Sequence, residues 1–254
     1  MLRLLQIELI KFKNYRTFWA ILGIYALIFV LATSAMAKIT PQNPVYSFFG
    51  FPDVWHNLAF VASYMNLLLG IIIIMLIANE YSFKTFRQNL IDGLSRKELV
   101  ISKFILIGTI SSVSILFIFF WGLIRGIITG HFDVIGEIYQ KTYFLFHLFI
   151  QMIGYMSLAA LITLIFKKAA LSILVFLVYA VALERIIRWR VADTIDRFFP
   201  IKVFGELIPD IGNISFQGML EAPSLSIEWT LLLAILYILV FFGSSVLLME
   251  KSNL

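Results

Sequence analysis

Six long runs of apolar residues, almost free of charge, constrain this chain more than any other feature. They cover 18–37, 58–78, 104–124, 144–166, 169–187 and 229–249. A helix crosses the hydrocarbon core with about 20 apolar residues, so each run is long enough to span. A soluble core of this size would scatter its apolar residues at helix or strand period instead. The chain has 254 residues, 61% hydrophobic and 14% charged, against roughly 25% charged in ordinary soluble domains. The expected fold is therefore all-α and membrane-integral, a single six-span domain over 1–254. The first run is too long for a signal-peptide core and more spans follow it, so no cleaved leader is expected. No cysteine is present, which removes disulfides and thiolate metal sites.

Lysine and arginine in the flanks orient the spans. One side collects Arg3, Lys11, Lys13, Arg16, Lys84, Arg87, Arg96, Lys97, Lys103, Lys167, Lys168 and Lys251 in short segments. The other collects Lys38, Arg125, Lys141, Arg185, Arg188, Arg190, Arg197 and Lys202 over longer ones. The positive-inside rule then places both termini in the cytoplasm. The net charge of +5 reads as a topology signal and as contact with anionic lipid, with no nucleic-acid partner. Residues 188–197 are basic on the expected outer side. Glu184, Asp193 and Asp196 are close enough to make this stretch a salt-bridged amphipathic helix.

Outside the spans, residues 1–17 carry Leu2, Leu5, Leu9 and Phe12 on one stripe, which predicts an interfacial helix. Residues 188–228 form the longest connection, broken by Pro200, Pro209 and Pro223. They predict short outer helices, either a cap over the external mouth or a re-entrant pair. Lys167 and Lys168 alone separate the fourth and fifth spans, a tight helical hairpin.

The stretch 79–103 is the most informative. It offers a helix-compatible run over 83–91, then Gly93 where a residue at positive φ would stop it. Ser95 and Glu98 have the spacing of a capping box that opens the next helix. The expected element is rigid, surface-mounted, and offers Phe83, Phe86, Arg87 and Arg96 to a partner, since aromatic and arginine side chains anchor interfaces. Glu80 closes the second span. It reads either as a solvated boundary charge or as an ion-pair partner of Arg16 or Lys103.

Several chemistries lack their residues. There is no G-x-x-x-x-G-K-[ST] phosphate loop, no G-x-S-x-G elbow and no H-E-x-x-H. His56, His131 and His147 stand far apart in sequence, and a metal site is not expected. No aspartate lies within a span, so a proton-carrying carboxylate relay is not evident. Asn66, His147 and Gln151 are the polar side chains within spans that a substrate path could use. For His147 and Gln151 an interhelical hydrogen bond is the plainer alternative.

The sequence Asn79-Glu80-Tyr81, then Thr85-Phe86-Arg87-Gln88, then Gly93-Leu94-Ser95-Arg96-Lys97-Glu98-Leu99 and Lys103 resembles the cytoplasmic segment of type-2 ABC transporter permeases. The resemblance implies an exporter permease working as a dimer, with an identical copy or a paralogue. Two copies of a separate ABC ATPase would bind the ATP and magnesium, and this chain would hold no cofactor. The ATPase would dock on a coupling helix at Phe83, Lys84, Phe86, Arg87, Gln88, Leu90 and Arg96. Glu80 would be held by Arg16 or Lys103. Cargo would move along the dimer interface past spans two and five. Phe198, Phe199 and Phe204 would line an outer gate suited to a lipid, peptide or other amphipathic molecule. The expected location is the cell's inner membrane. A secondary transporter or channel would need a charged or broken-helix site at mid-membrane, and a non-transporting scaffold would need no ATPase.

Overall fold

The computed structural model describes residues 16–39, 48–129, 138–211 and 225–251. Among these the chain is helical, in the order α1 (Arg16–Ile39), α2 (Val54–Ser82), α3 (Thr85–Ile91), α4 (Arg96–Thr129), α5 (Tyr143–Phe166), α6 (Ala169–Val178), a π-helical turn (Tyr179–Leu183), α7 (Glu184–Arg188), α8 (Asp193–Asp196), α9 (Pro200–Gly205) and α10 (Ile227–Lys251). Six helical segments are long and apolar enough to cross a membrane, with α6, the π-turn and α7 acting as one. The protein is an all-α membrane protein.

The spans extend past the apolar runs, most of all at α4, which begins eight residues before the run at 104. The capping box explains this. Glu98 accepts from the Ser95 N–H and hydroxyl, each at 2.8 Å, and Ser95 Oγ accepts from the Glu98 N–H at 3.2 Å. Helix start is thus set by a cap in the polar flank rather than by where hydrophobicity begins. The predicted interfacial helix over 1–17 lies outside the described residues except at Arg16 and Thr17, which already belong to α1.

α2 and α5 form the centre, with 67% and 72% of their most apolar windows buried. The corresponding share is 17% for α1, for the fifth span and for α10. Those outer helices therefore present apolar side chains outward, as lipid-facing helices do. Between helices in lipid there is no hydrophobic drive, so contact rests on close packing and small residues. Gly154 of α5 shows it: a Cβ there would stand 2.2 Å from the Phe204 ring. Gly122 of α4 makes room for Trp55 in the same way, with 2.8 Å from its would-be Cβ to the indole ring.

Several hydroxyls of α4 turn back on their own helix, whereas the buried Ser114 Oγ has no hydrogen-bond partner among the described residues. Thr109, Ser111 and Ser112 donate to the carbonyls four residues back, at 2.9, 2.9 and 2.8 Å. This satisfies them without a neighbouring helix. The two-lysine connection closes because Lys167 takes φ 56° and its N–H returns to Thr163 O at 2.8 Å, capping α5.

The stretch 188–197 is not the single amphipathic helix expected. Its residues bend between α7 and α8, and the bend lets Arg188 bond Asp196, eight residues on. Nor does α9 lie across the bundle end as a cap would. Its Phe204 ring packs on Gly154 and Tyr155, and Gly154 stands eleven residues into α5, about 17 Å from its start. α9 dips to the middle of the 24-residue α5.

Candidate functional site

The segment between α2 and α4 is built as a braced lever. α2 stops at Ser82, and Lys84 takes φ 56°, which swings the chain into α3. The Thr85 hydroxyl donates to Glu80 O at 3.1 Å across that corner. α3 has two stripes at a spacing of four. Phe86 is 1% exposed and Leu90 is half-buried, and both pack into the core. On the other side Phe83 and Ile91 are 74% and 72% exposed, and Lys84, Arg87 and Gln88 are exposed with them. After α3, Gly93 takes φ +93°, a region in which a side chain is strained. The Leu94 N–H then closes on Asn89 O at 3.0 Å.

Beneath this lever Lys103 Nζ lies 2.6 Å from Glu80 Oε1, with the two side chains 4% and 12% exposed. The same ammonium stands 5.6 Å from the Phe86 ring centroid, and Tyr81 packs on Phe86 at 4.6 Å. One buried cation thus links the end of α2, the inner face of α3 and the start of α4. Arg16, the other basic candidate for Glu80, is exposed at the start of α1.

Three of the residues expected to face a partner do not. Phe86 is a core side chain, because it lies on the α3 stripe turned towards Tyr81 and Lys103. Leu90 follows it four residues on. Arg96 is half-buried and donates from Nη1 to Met249 O and Glu250 O at 3.2 and 2.6 Å, so it caps the C-terminal carbonyls of α10. Ile91 was missed, although its place four residues after Arg87 puts the two on one stripe of α3; Phe83 stands before the Lys84 turn and joins them only in being exposed.

At the other end of the bundle a cavity of about 270 Å³ lies among α2, α5, the π-turn, α7 and α9. The polar candidates part company there. Gln151 lines the cavity. Asn66 and His147 are buried but are not among its lining residues. Of the aromatic gate candidates, Phe198 is exposed and Phe199 half-buried. Phe204 is fully buried against Tyr155, Tyr237 and Phe241, which makes it an anchor for α9 and not a surface ring. The Tyr237 hydroxyl donates to Phe198 O and ties α10 to the same segment.

Charge in this region is held by specific partners. Glu184, 2% exposed, accepts from the N–H groups of Ile201 and Lys202 at 3.0 and 2.8 Å. It thereby caps α9, whose first residue, Pro200, has no N–H to satisfy. Asp196 receives both Arg188 and Lys202. Burial alone would push the Asp196 carboxyl up; the hydrogen bonds and charges of Arg188 and Lys202 outweigh it and hold it below the usual carboxylate range. No group of histidine and carboxylate side chains among the described residues has the arrangement of a metal site.

The described residues thus form a membrane bundle with an aromatic and basic surface segment at one end and a polar-lined cavity at the other. The sequence profile described as "ABC-2 family transporter protein" matches residues 4–183, most of the chain and all of the lever. The chain belongs to the ABC-2 transporter family. This ABC-2 chain is a multi-pass transporter subunit, and membership of the family implies an ABC ATPase partner. No curated protein matches the sequence.

Proposed function

We propose that this ABC-2 subunit is the permease of an ATP-driven exporter and that α3 is the coupling helix on which a separate ATPase docks. One observation carries the reading: the corner at 83–84 exposes Phe83 and Lys84, and α3 exposes Arg87, Gln88 and Ile91, while Phe86 and the Glu80–Lys103 pair brace the inner face of α3. A surface meant only for water has no need of two large apolar side chains more than 70% exposed beside an arginine. A force applied to a helix so braced reaches α2 and α4 as a rigid-body movement.

In this reading two permease copies face each other, two ATPases bind ATP and magnesium, and closure of the ATPases brings the two α3 helices together. The α3 end faces the cytoplasm with both termini, and the protein sits in the cell's inner membrane. Cargo passes along the dimer interface past α2 and the fifth span, and the aromatic lining near α9 suits an amphipathic molecule such as a lipid or peptide.

Copurification tests the docking surface. Phe83→Glu and Arg87→Glu should each release the ATPase while leaving the permease folded, since both side chains are exposed. ATPase retention at the wild-type level by both variants would contradict the assignment.

A further inference from the structure

We propose that the cavity among α2, α5, the π-turn, α7 and α9 holds a phospholipid headgroup, its phosphodiester on Arg185 and an O–H or N–H of the headgroup on Gln151. The charges around the cavity narrow the ligand. Of the charged residues that line it, Glu184 is occupied by the two N–H groups of α9, Arg188 and Lys202 are occupied by Asp196, and Asp210 is a second carboxylate beside Ile208, away from Arg185 in sequence. Arg185 lines the cavity, is exposed, and makes no ion pair with any described residue. A guanidinium in that position matches a phosphodiester, which it grips through paired hydrogen bonds.

Deeper in, Gln151 is 1% exposed, and its Oε1 has no hydrogen-bond partner among the described residues. A buried acceptor left unmade is costly, and a donor on a bound headgroup would satisfy it. The volume, about 270 Å³, lies just below the range of small-molecule sites. It admits a headgroup but not acyl chains.

A track for the chains begins at the mouth. Leu171, Leu174, Val178 and Val181 are 40%, 60%, 47% and 51% exposed, and their spacings of three and four place them on one stripe of the fifth span. Val181 also lines the cavity. The stripe therefore joins the headgroup chamber to an exposed apolar surface of the fifth span long enough for acyl chains, which selects a membrane lipid over a soluble phosphate. The site needs no nucleotide and does not depend on ATPase docking.

The test uses the purified full chain in dodecyl maltoside, without ATPase. Dioleoyl-phosphatidylglycerol is titrated in and thermal unfolding is followed, beside dioleoylglycerol and glycerol phosphate. Phosphatidylglycerol should raise the unfolding temperature saturably, and the two controls should not. Arg185→Gln and Gln151→Met should each weaken the lipid's apparent affinity about tenfold. Arg185 is exposed, so its replacement leaves the fold intact, and unchanged affinity in that variant overturns the proposal. Equal stabilisation by dioleoylglycerol shows that the headgroup is not recognised, and equal stabilisation by glycerol phosphate shows a soluble ligand; either result also overturns it. So does lipid binding that disappears as protein concentration rises, because a second copy of the chain would then cover the cavity. A negative result leaves the α3 reading untouched, since that reading is decided by ATPase copurification.

Discussion

At the residue scale the structure depends on contacts whose partners lie far off in sequence. Gly154 is one apolar-run residue among many in the sequence, and nothing there shows that Phe204 will sit where its Cβ would be. Gly154→Ala should therefore destabilise the protein by about 1–3 kcal/mol, the usual range for overpacking, and Phe204→Leu in the same chain should recover part of that loss. Thermal unfolding in detergent of the two single variants and the double would measure it. Equal losses in Gly154→Ala with and without the second change would refute the contact. Lys103 differs, because its partner Glu80 was nameable from the sequence: both flank apolar runs on the same predicted side. The sequence left Arg16 equally eligible, and the structure brings Lys103 to 2.6 Å from Glu80 with the Phe86 ring beside its ammonium. Lys103→Met removes the ammonium that lies 2.6 Å from Glu80. It should cost roughly 3 kcal/mol, with Glu80→Gln added to Lys103→Met restoring much of it. Stability of both variants near that of the wild type would show that the pair is solvated.

At the element scale the helix ends were legible and the helix faces were not. Gly93, the Ser95–Glu98 box and the two-lysine turn are local signals, and each acts where it stands. The face of α3 had to be assigned without knowing which side of so short a helix lies against Tyr81, and that is why Phe86 was misplaced and Ile91 overlooked. The π-turn before Glu184 carries no sequence signature of its own; such insertions cluster at functional sites, and here one lies beside the cavity. Arg96 was legible as a basic residue of the lever but not as a cap, because the C-terminus of α10 is more than 150 residues away. Arg96→Ala should uncouple α10 from the lever without removing the docking surface. The expected result is an ATPase that still copurifies but whose activity is no longer stimulated by the permease, and faster amide exchange over the last turn of α10. Loss of copurification instead would return Arg96 to the interface.

At the scale of the whole molecule the number and order of spans followed directly from length and hydropathy, since a bilayer admits few other solutions for this backbone. The depth of α9 did not follow. Pro200 and the apolar residues after it fit a cap or a dip equally well, and the choice is made by the notch at Gly154 and the anchor of Glu184 on the Ile201 and Lys202 N–H groups. What remains is a bundle whose central pair, α2 and α5, connects a lever at one end to a cavity at the other. Such a layout transmits movement only if the lever is pushed. The chain contains no cysteine, so a single Lys97→Cys exchange, at an exposed position outside the docking residues, allows one spin label at the start of each α4, beside α3. The decisive measurement is the label-to-label distance in the permease–ATPase complex by pulsed electron resonance. The account predicts that ATP shortens this distance in the complex and has no effect on the permease alone. An ATP-independent distance in an actively transporting complex would contradict it.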